Sequence, residues 1–265
     1  MNPFNLWQKK NNSKMKKTAL ITGATSGIGK ATAQILAKNN YKVVLCGRRQ
    51  DRLEELQKEL SAFTEVHSLQ FDVRDKEEVL KKISTLPTDF SVIDILINNA
   101  GNAHGLDPIQ NGDLDDWDAM IDINVKGLLY VSKAIIPQMV ERQSGHIINI
   151  GSTAAKEVYP NGNVYCGSKH AVDAITAGMR IDLNPFGIRV GGIHPGMVAT
   201  EFSEVRFKGD ADRAANVYKG FTPLIAEDIA DIIHFVVSRP YHVNIADLVV
   251  MSTAQASSTI VKKNV

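Results

Sequence analysis

The chain has 265 residues, 44% hydrophobic and 22% charged, and 30 Lys+Arg against 29 Asp+Glu leave a formal net charge of +1. That composition is globular and excludes a disordered, collagen-like or low-complexity protein, and the balanced charge offers no global field to nucleic acid or an anionic membrane. No apolar run approaches the roughly 20 residues of a bilayer span, no secretion signal opens the chain, and Cys46 and Cys166 make no metal or disulfide spacing, so a cytoplasmic, reducing location is expected.

Residues 1–16, rich in Asn and Lys, read as a flexible extension. From Lys17 onward, short β-branched runs alternate with helical patterns, the signature of repeated βαβ units around a parallel sheet. The first predicted strand, Thr18 to Thr22, runs directly into Gly23-Ala24-Thr25-Ser26-Gly27-Ile28-Gly29 and then into a helix. Three glycines at such a turn let backbone approach a pyrophosphate, and the helix N-terminus offers free N–H groups. Gly23, Thr25, Ser26, Gly27, Ile28 and Gly29 are therefore candidate dinucleotide contacts.

The second strand, Tyr41 to Gly47, ends in Arg48-Arg49, where an acidic residue would bind the ribose 2′-hydroxyl of NAD. Arginine pairs with a 2′-phosphate instead, so the expected cofactor is NADP(H). The rest of the charged stretch "RRQDRLEELQKEL" reads as a solvated helix face. The third strand, Glu65 to Phe71, delivers Asp72 and Val73, with Asp72 placed to meet the adenine edge. The fourth, Ile93 to Asn98, delivers Asn99, Ala100 and Gly101, which either line the ribose or form a turn.

The fifth strand, His146 to Ile150, leads to Ser152, and Tyr165 and Lys169 follow in a helical pattern at i and i+4. They share one helix face, so an ammonium can sit near the phenol or a ribose. A free phenol titrates near 10, and nearby positive charge makes it a useful acid/base at neutral pH. Tyr165 would exchange the substrate's hydroxyl proton, Ser152 would hold the same oxygen, and Asn124 would join a water relay from Lys169 to solvent.

The sixth strand, Arg189 to His194, is followed by Met197 to Ala226, whose weak periodicity resembles an active-site lid near 197–226. Two cations there, Arg206 and Lys208, are candidates to balance a substrate carboxylate, Arg206 foremost. Ile229, Ile232, Ile233, Val236 and Val237 then form a helical stripe before the seventh strand, Ala246 to Met251. With no linker and no internal repeat, residues 17–265 are expected to form one Rossmann-type α/β domain: a doubly wound, seven-stranded parallel sheet with helices on both faces. His170 and His194 have no partner at metal-ligand spacing and Cys166 no His/Asn arrangement, so no metal site is expected.

The glycine turn, Asn98 to Gly101, and the set Asn124, Ser152, Tyr165 and Lys169 together resemble the short-chain dehydrogenase/reductase family from about Lys17 to the C-terminus. The resemblance implies backbone and hydroxyl contacts to a nicotinamide carboxamide from Pro195, Gly196, Val198 and Thr200. "GHIINIGSTA", "GNVYCGSKHAV" and "TEFSEVRFKGD" are similar to the branch that oxidises 3-hydroxy acids, including serine and allo-threonine, or reduces malonic semialdehyde with NADP(H). That branch implies a homotetramer, with subunit contacts through the helices carrying Asn124 and Tyr165 and through the last strand. A reductase of another carbonyl substrate, an epimerase or dehydratase with bound NAD, and a nucleotide sensor without turnover remain the alternatives.

Overall fold

The computed structural model describes residues 16–263, so the N-terminal extension expected over 1–16 lies outside them but for Lys16, which pairs with Glu65 at 2.8 Å. The elements run β1 (Thr18–Thr22), α1 (Gly27–Lys38), β2 (Lys42–Gly47), α2 (Gln50–Leu60), β3 (Val66–Gln70), α3 (Lys76–Ser84) and β4 (Ile95–Asn98). Then come α4 (Leu114–Ile121), a π-helical stretch Asp122–Gly127, α5 (Leu128–Arg142), β5 (Gly145–Ile150), α6 (Asn163–Leu183) and β6 (Ile188–Pro195). A short strand β7 (Val198–Ala199), helices α7 (Phe202–Arg206) and α8 (Ala211–Asn216), β8 (Leu224–Ile225), α9 (Ala226–Ser238) and β9 (Asp247–Val250) complete the chain. Every expected strand is present, and seven form one sheet in the order β3-β2-β1-β4-β5-β6-β9 with all pairs parallel.

Successive side chains of a strand point to opposite faces, so a buried parallel sheet needs apolar residues at both parities. Ala19, Ile21, Val43, Leu45, Ile95 and Ile97 pack under α1, α2 and α9, which contribute Leu36, Leu53, Ile229 and Ile233. Their immediate neighbours Leu20, Val44 and Leu96 pack on the other face against Val79, Val131, Ile135 and Leu183 from α3, α5 and α6. At roughly 1.5–3 kcal/mol for each fully buried large aliphatic side chain, these two layers dominate the folding energy. β1, β4, β5 and β6 are buried along their length, with His146, Asn149, Arg189 and His194 as polar positions within the last two, and burial weakens in β3 and β9. Those two are the sheet edges, where only one flank has a neighbouring strand.

Helix boundaries follow local chemistry. Asp75 caps α3 by accepting from the Glu78 backbone N–H at 2.8 Å, with Glu77 and Glu78 in its first turn and Lys81 and Lys82 in its last. No helix among the described residues is long and apolar enough to cross a membrane.

The strand order reverses direction between β1 and β4, and at such a switch point the carboxyl ends of the strands leave a crevice. Residues 197–226 fold over it as two short helices and a two-stranded parallel ribbon, with Val198 opposite Leu224. Pieces of two to six residues carry no measurable period, which is why the sequence reads as irregular there.

Candidate active site

A continuous cleft of about 620 Å³ occupies this crevice. The glycine turn forms one wall. Gly23 has φ +65°, and a Cβ there would stand 2.9 Å from Asn99 Nδ2 and 3.0 Å from the Ala100 Cα. The Thr22 hydroxyl accepts from the Asn99 and Ala100 backbone N–H groups at 3.0 and 2.9 Å, and Asn99 Nδ2 donates to the Thr22 carbonyl at 2.9 Å. Asn99 thus braces the turn with its side chain while lining the cleft, which joins the two roles left open by its sequence position. Gly27, at φ +49°, lies against Thr200, and a Cβ there would stand 3.2 Å from its methyl group. Gly29 departs from expectation: it is buried and does not line the cleft. A Cβ on it would collide with the Gly23 carbonyl, so its smallness lets α1 begin hard against the turn.

At the far end, Arg48, Arg49, Asp72 and Val73 line the cleft as expected. Asp72 is held by Arg74, whose Nη2 and Nε lie 2.7 and 3.0 Å from one carboxylate oxygen, and Arg48 stands 3.8 Å away. Burial raises its pKa, but the Arg74 hydrogen bonds outweigh this and hold the carboxyl below its ordinary range. Arg49 donates to the Thr25 hydroxyl from Nε and Nη2 at 3.2 and 3.0 Å and to Glu201 from Nη1 at 3.0 Å. Arg52, expected on a solvated face, instead reaches Glu201 at 2.6 Å. Burial of Glu201 raises its pKa, yet bonds from Arg52 and then Arg49 hold it below the usual carboxylate value.

The helix α6 carries Tyr165 and Lys169 one turn apart, and both are buried. Lys169 Nζ donates to the Ile150 carbonyl at 3.0 Å, at the end of β5, and Ser152 follows two residues later. Burial pulls the Lys169 ammonium down to about 8. Burial, and then the neighbouring Tyr159, push the Tyr165 phenol well above its ordinary value, against the pull of a hydrogen bond with Ser152 and the charge of Arg206. Asn124 sits in the π-helical stretch and is buried rather than lining the cleft. Its Oδ1 accepts from the Asn102 N–H at 2.8 Å, and its Nδ2 donates to the Asn102 carbonyl at 2.8 Å and the Ser168 hydroxyl at 3.0 Å. A Cβ on Gly101 would stand 3.0 Å from Asn124 Oδ1 and 3.4 Å from Lys169 Nζ, so that glycine keeps the two close. At the end of β6, Pro195 and Gly196 line the cleft with Val198 and Thr200. Gln255 accepts from the Met197 N–H at 2.9 Å and fills the space beside Gly196.

Segment 197–226 roofs the site. Phe202 meets the Tyr165 ring at 5.8 Å between centroids. Arg206 lies over the rings of Tyr159 and Tyr165 at 5.7 and 5.6 Å, and its Nε donates to the Gly105 carbonyl at 3.2 Å. Its Nη2 is buried with no hydrogen-bond partner. Lys208, the other expected carboxylate partner, is engaged outside the cleft with Asp116 at 3.0 Å and Asp113 at 3.5 Å. Tyr159, Phe202, Arg52, Glu201 and Gln255 were not singled out by sequence; each meets its partners only through distant segments.

His194 gains partners that spacing could not reveal: Nε2 lies 2.7 Å from Asp247 and 3.5 Å from Asp173. Lys156 already bridges both carboxylates at 2.9 Å, so the cluster carries its own cation. Burial, and then Lys156, keep His194 below its ordinary pKa. His170 caps back to the Cys166 carbonyl at 2.9 Å, and both cysteines are buried and free.

A family profile described as short chain dehydrogenase matches residues 17–211. The chain belongs to the short-chain dehydrogenase family. Among its relatives, serine 3-dehydrogenase of Rhizobium radiobacter is 46% identical over 243 residues, covering 91% of this chain and 96% of that protein. An NADP-dependent 3-hydroxy acid dehydrogenase of Escherichia coli strain K12 is 43% identical, covering 89% and 95%. A solved closed form of serine dehydrogenase complexed with NADP+ superposes with a TM-score of 0.88 at 41% identity, over 93% of this chain and 99% of that one. These dehydrogenases match well past residue 211, so the roofing segment belongs to the shared length.

Proposed function

We propose that this short-chain dehydrogenase transfers hydride between NADP(H) and a 3-hydroxy acid such as serine or allo-threonine, or the semialdehyde in reduction. The observation that carries the substrate class is Arg206. A buried guanidinium nitrogen without an acceptor is costly, and Arg206 is among the residues that line the same cleft as Ser152 and Tyr165. A carboxylate two carbons from the reacting hydroxyl satisfies it while leaving that hydroxyl to the serine and tyrosine. The names of the relatives support the same reading.

The glycine turn fits a dinucleotide, since side chains at Gly23 or Gly27 would fill the cradle, and Arg48 and Arg49 suit a 2′-phosphate. When bound, the nicotinamide supplies or accepts the hydride, and its oxidised ring adds positive charge. Tyr165 gives or takes the hydroxyl proton, and Ser152 orients the same oxygen. Lys169 carries positive charge one helical turn from Tyr165, and Asn124 fixes the loop carrying Gly101 and Asn102 next to that lysine. We read residues 17–265 as one catalytic domain with 197–226 as its lid, in a reducing cytoplasm. We also read the chain as a homotetramer: Ile121, Leu129, Ile181, Val249 and Met251 are exposed on the helices and last strand expected to meet neighbours.

Initial rates at the reduced-nicotinamide absorbance band test the reading, with NADP+ and NAD+ against serine, allo-threonine, 3-hydroxypropionate and neutral alcohols. NADP+-dependent turnover of the acids is expected, and turnover of neutral alcohols alone overturns the substrate class. Arg206→Gln should raise KM for serine about 10- to 100-fold, the size of a lost charged hydrogen bond, and spare a neutral alcohol. An equal loss on both would assign Arg206 to lid structure.

A further inference from the structure

Of the two arginines expected to meet the phosphate, Arg49 is already engaged. All three donor nitrogens of Arg49 are engaged, two by Thr25 and one by Glu201, and the other Glu201 oxygen lies 2.6 Å from Arg52. A carboxylate shared between two guanidinium groups reproduces the charge-assisted pattern those groups make with a phosphate monoester. Arg48, by contrast, is largely turned to solvent, 3.8 Å from Asp72. Beside the Glu201 pair lies a recess of about 280 Å³, bordered by Ser26, Lys30, Arg52, Glu55 and Glu201. Glu201 comes from the first turn of the roof, 152 residues from Arg49 in sequence, so the pair also ties the roof to the cofactor end of the cleft.

We propose that Glu201 is an intramolecular competitor for the 2′-phosphate of the cofactor, and so determines how strongly the chain prefers NADP(H) over NAD(H). The inference rests on the NADP(H) reading above. Glu201 pairs with Arg49 and Arg52 and offsets one of their two charges; the 2′-phosphate, with more charge and more acceptor oxygens, takes over both guanidiniums and frees the start of α7. A cofactor without that phosphate leaves the carboxylate in place and the roof tied. Both pairs are partly exposed, with side chains 38–39% accessible, so each is individually weak and the displacement cost is modest.

The test uses equilibrium titration calorimetry of the full chain with 2′,5′-ADP and 5′-AMP, which share the adenosine and differ by the 2′-phosphate. Glu201→Gln should bind 2′,5′-ADP about three- to tenfold more tightly than the wild type and leave 5′-AMP unchanged, the range two exposed ion pairs allow. Arg52→Gln, which removes a phosphate ligand, should weaken 2′,5′-ADP alone. If Glu201→Gln leaves 2′,5′-ADP unchanged or weaker while the wild type still prefers it to 5′-AMP, the competitor role is overturned and Glu201 is a roof anchor. A wild type without preference between the two ligands overturns the NADP(H) reading itself, whatever the variants do.

Discussion

Tyr165→Phe is expected to lower kcat by about two to four orders of magnitude, the usual worth of a positioned general acid/base, while the dissociation constant of NADPH stays within about twofold. The substitution keeps the ring that packs against Phe202 and lies beneath Arg206, and removes only the hydroxyl. Burial holds that phenol well above its ordinary value, so it is protonated at neutral pH and able to donate to a carbonyl. Accepting a proton from an alcohol asks for the opposite, a stabilised phenolate, which in the proposed mechanism falls to the positive charge of Lys169 and of the oxidised nicotinamide. Absorbance assays for turnover and quenching of protein fluorescence for cofactor binding separate chemistry from binding. A nucleotide sensor would have no turnover to lose, and parallel loss of binding would place Tyr165 in cofactor affinity instead of proton transfer.

Much of this architecture is written in local pattern. Runs such as "YKVVLCG" and "HIINIG" are apolar at both parities because their strands are covered on both faces, and this survives folding unchanged. The glycine turn is legible for the same reason, since its function depends on consecutive backbone. Tyr165 and Lys169 are legible because helical periodicity fixes their common face. Gly29 shows where that reading stops: sequence says the position must be small but not whether a ligand or a neighbouring carbonyl demands it.

What sequence could not show is pairing across distance. Arg206 and Lys208 are two residues apart and are both cations of one segment, yet one turns over Tyr165 and the other out to Asp113 and Asp116. Arg52 looks like one more charge on a solvated helix until Glu201, 149 residues away, is folded onto it. The same holds for His194, whose carboxylate neighbours come from α6 and β9. Spacing rules find partners within one element; the roofing segment and the inter-strand clusters are assembled from several.

Lys169→Met should abolish useful turnover and yet stabilise the cofactor-free chain at neutral pH. Burial lowers the Lys169 pKa from 10.5 to about 8, so at pH 7 folding holds an ammonium in a place that disfavours its charge. The difference corresponds to about 3 kcal/mol by linkage, and losing the donor to the Ile150 carbonyl returns about 1 kcal/mol of it, leaving a net gain of about 2 kcal/mol. The sign follows from proton counts. Between pH 8 and 10.5 the unfolded lysine holds a proton that the folded one has released, so wild-type stability rises with pH through that window. The advantage of Lys169→Met is therefore full below pH 8 and gone by about 10.5, where only the lost hydrogen bond remains. Urea midpoints at pH 7 and pH 10, at one protein concentration and with unchanged m-values, measure it. A variant less stable than the wild type at pH 7 would mean that the ammonium is compensated by partners within the folded chain, and that its charge is structural before it is catalytic.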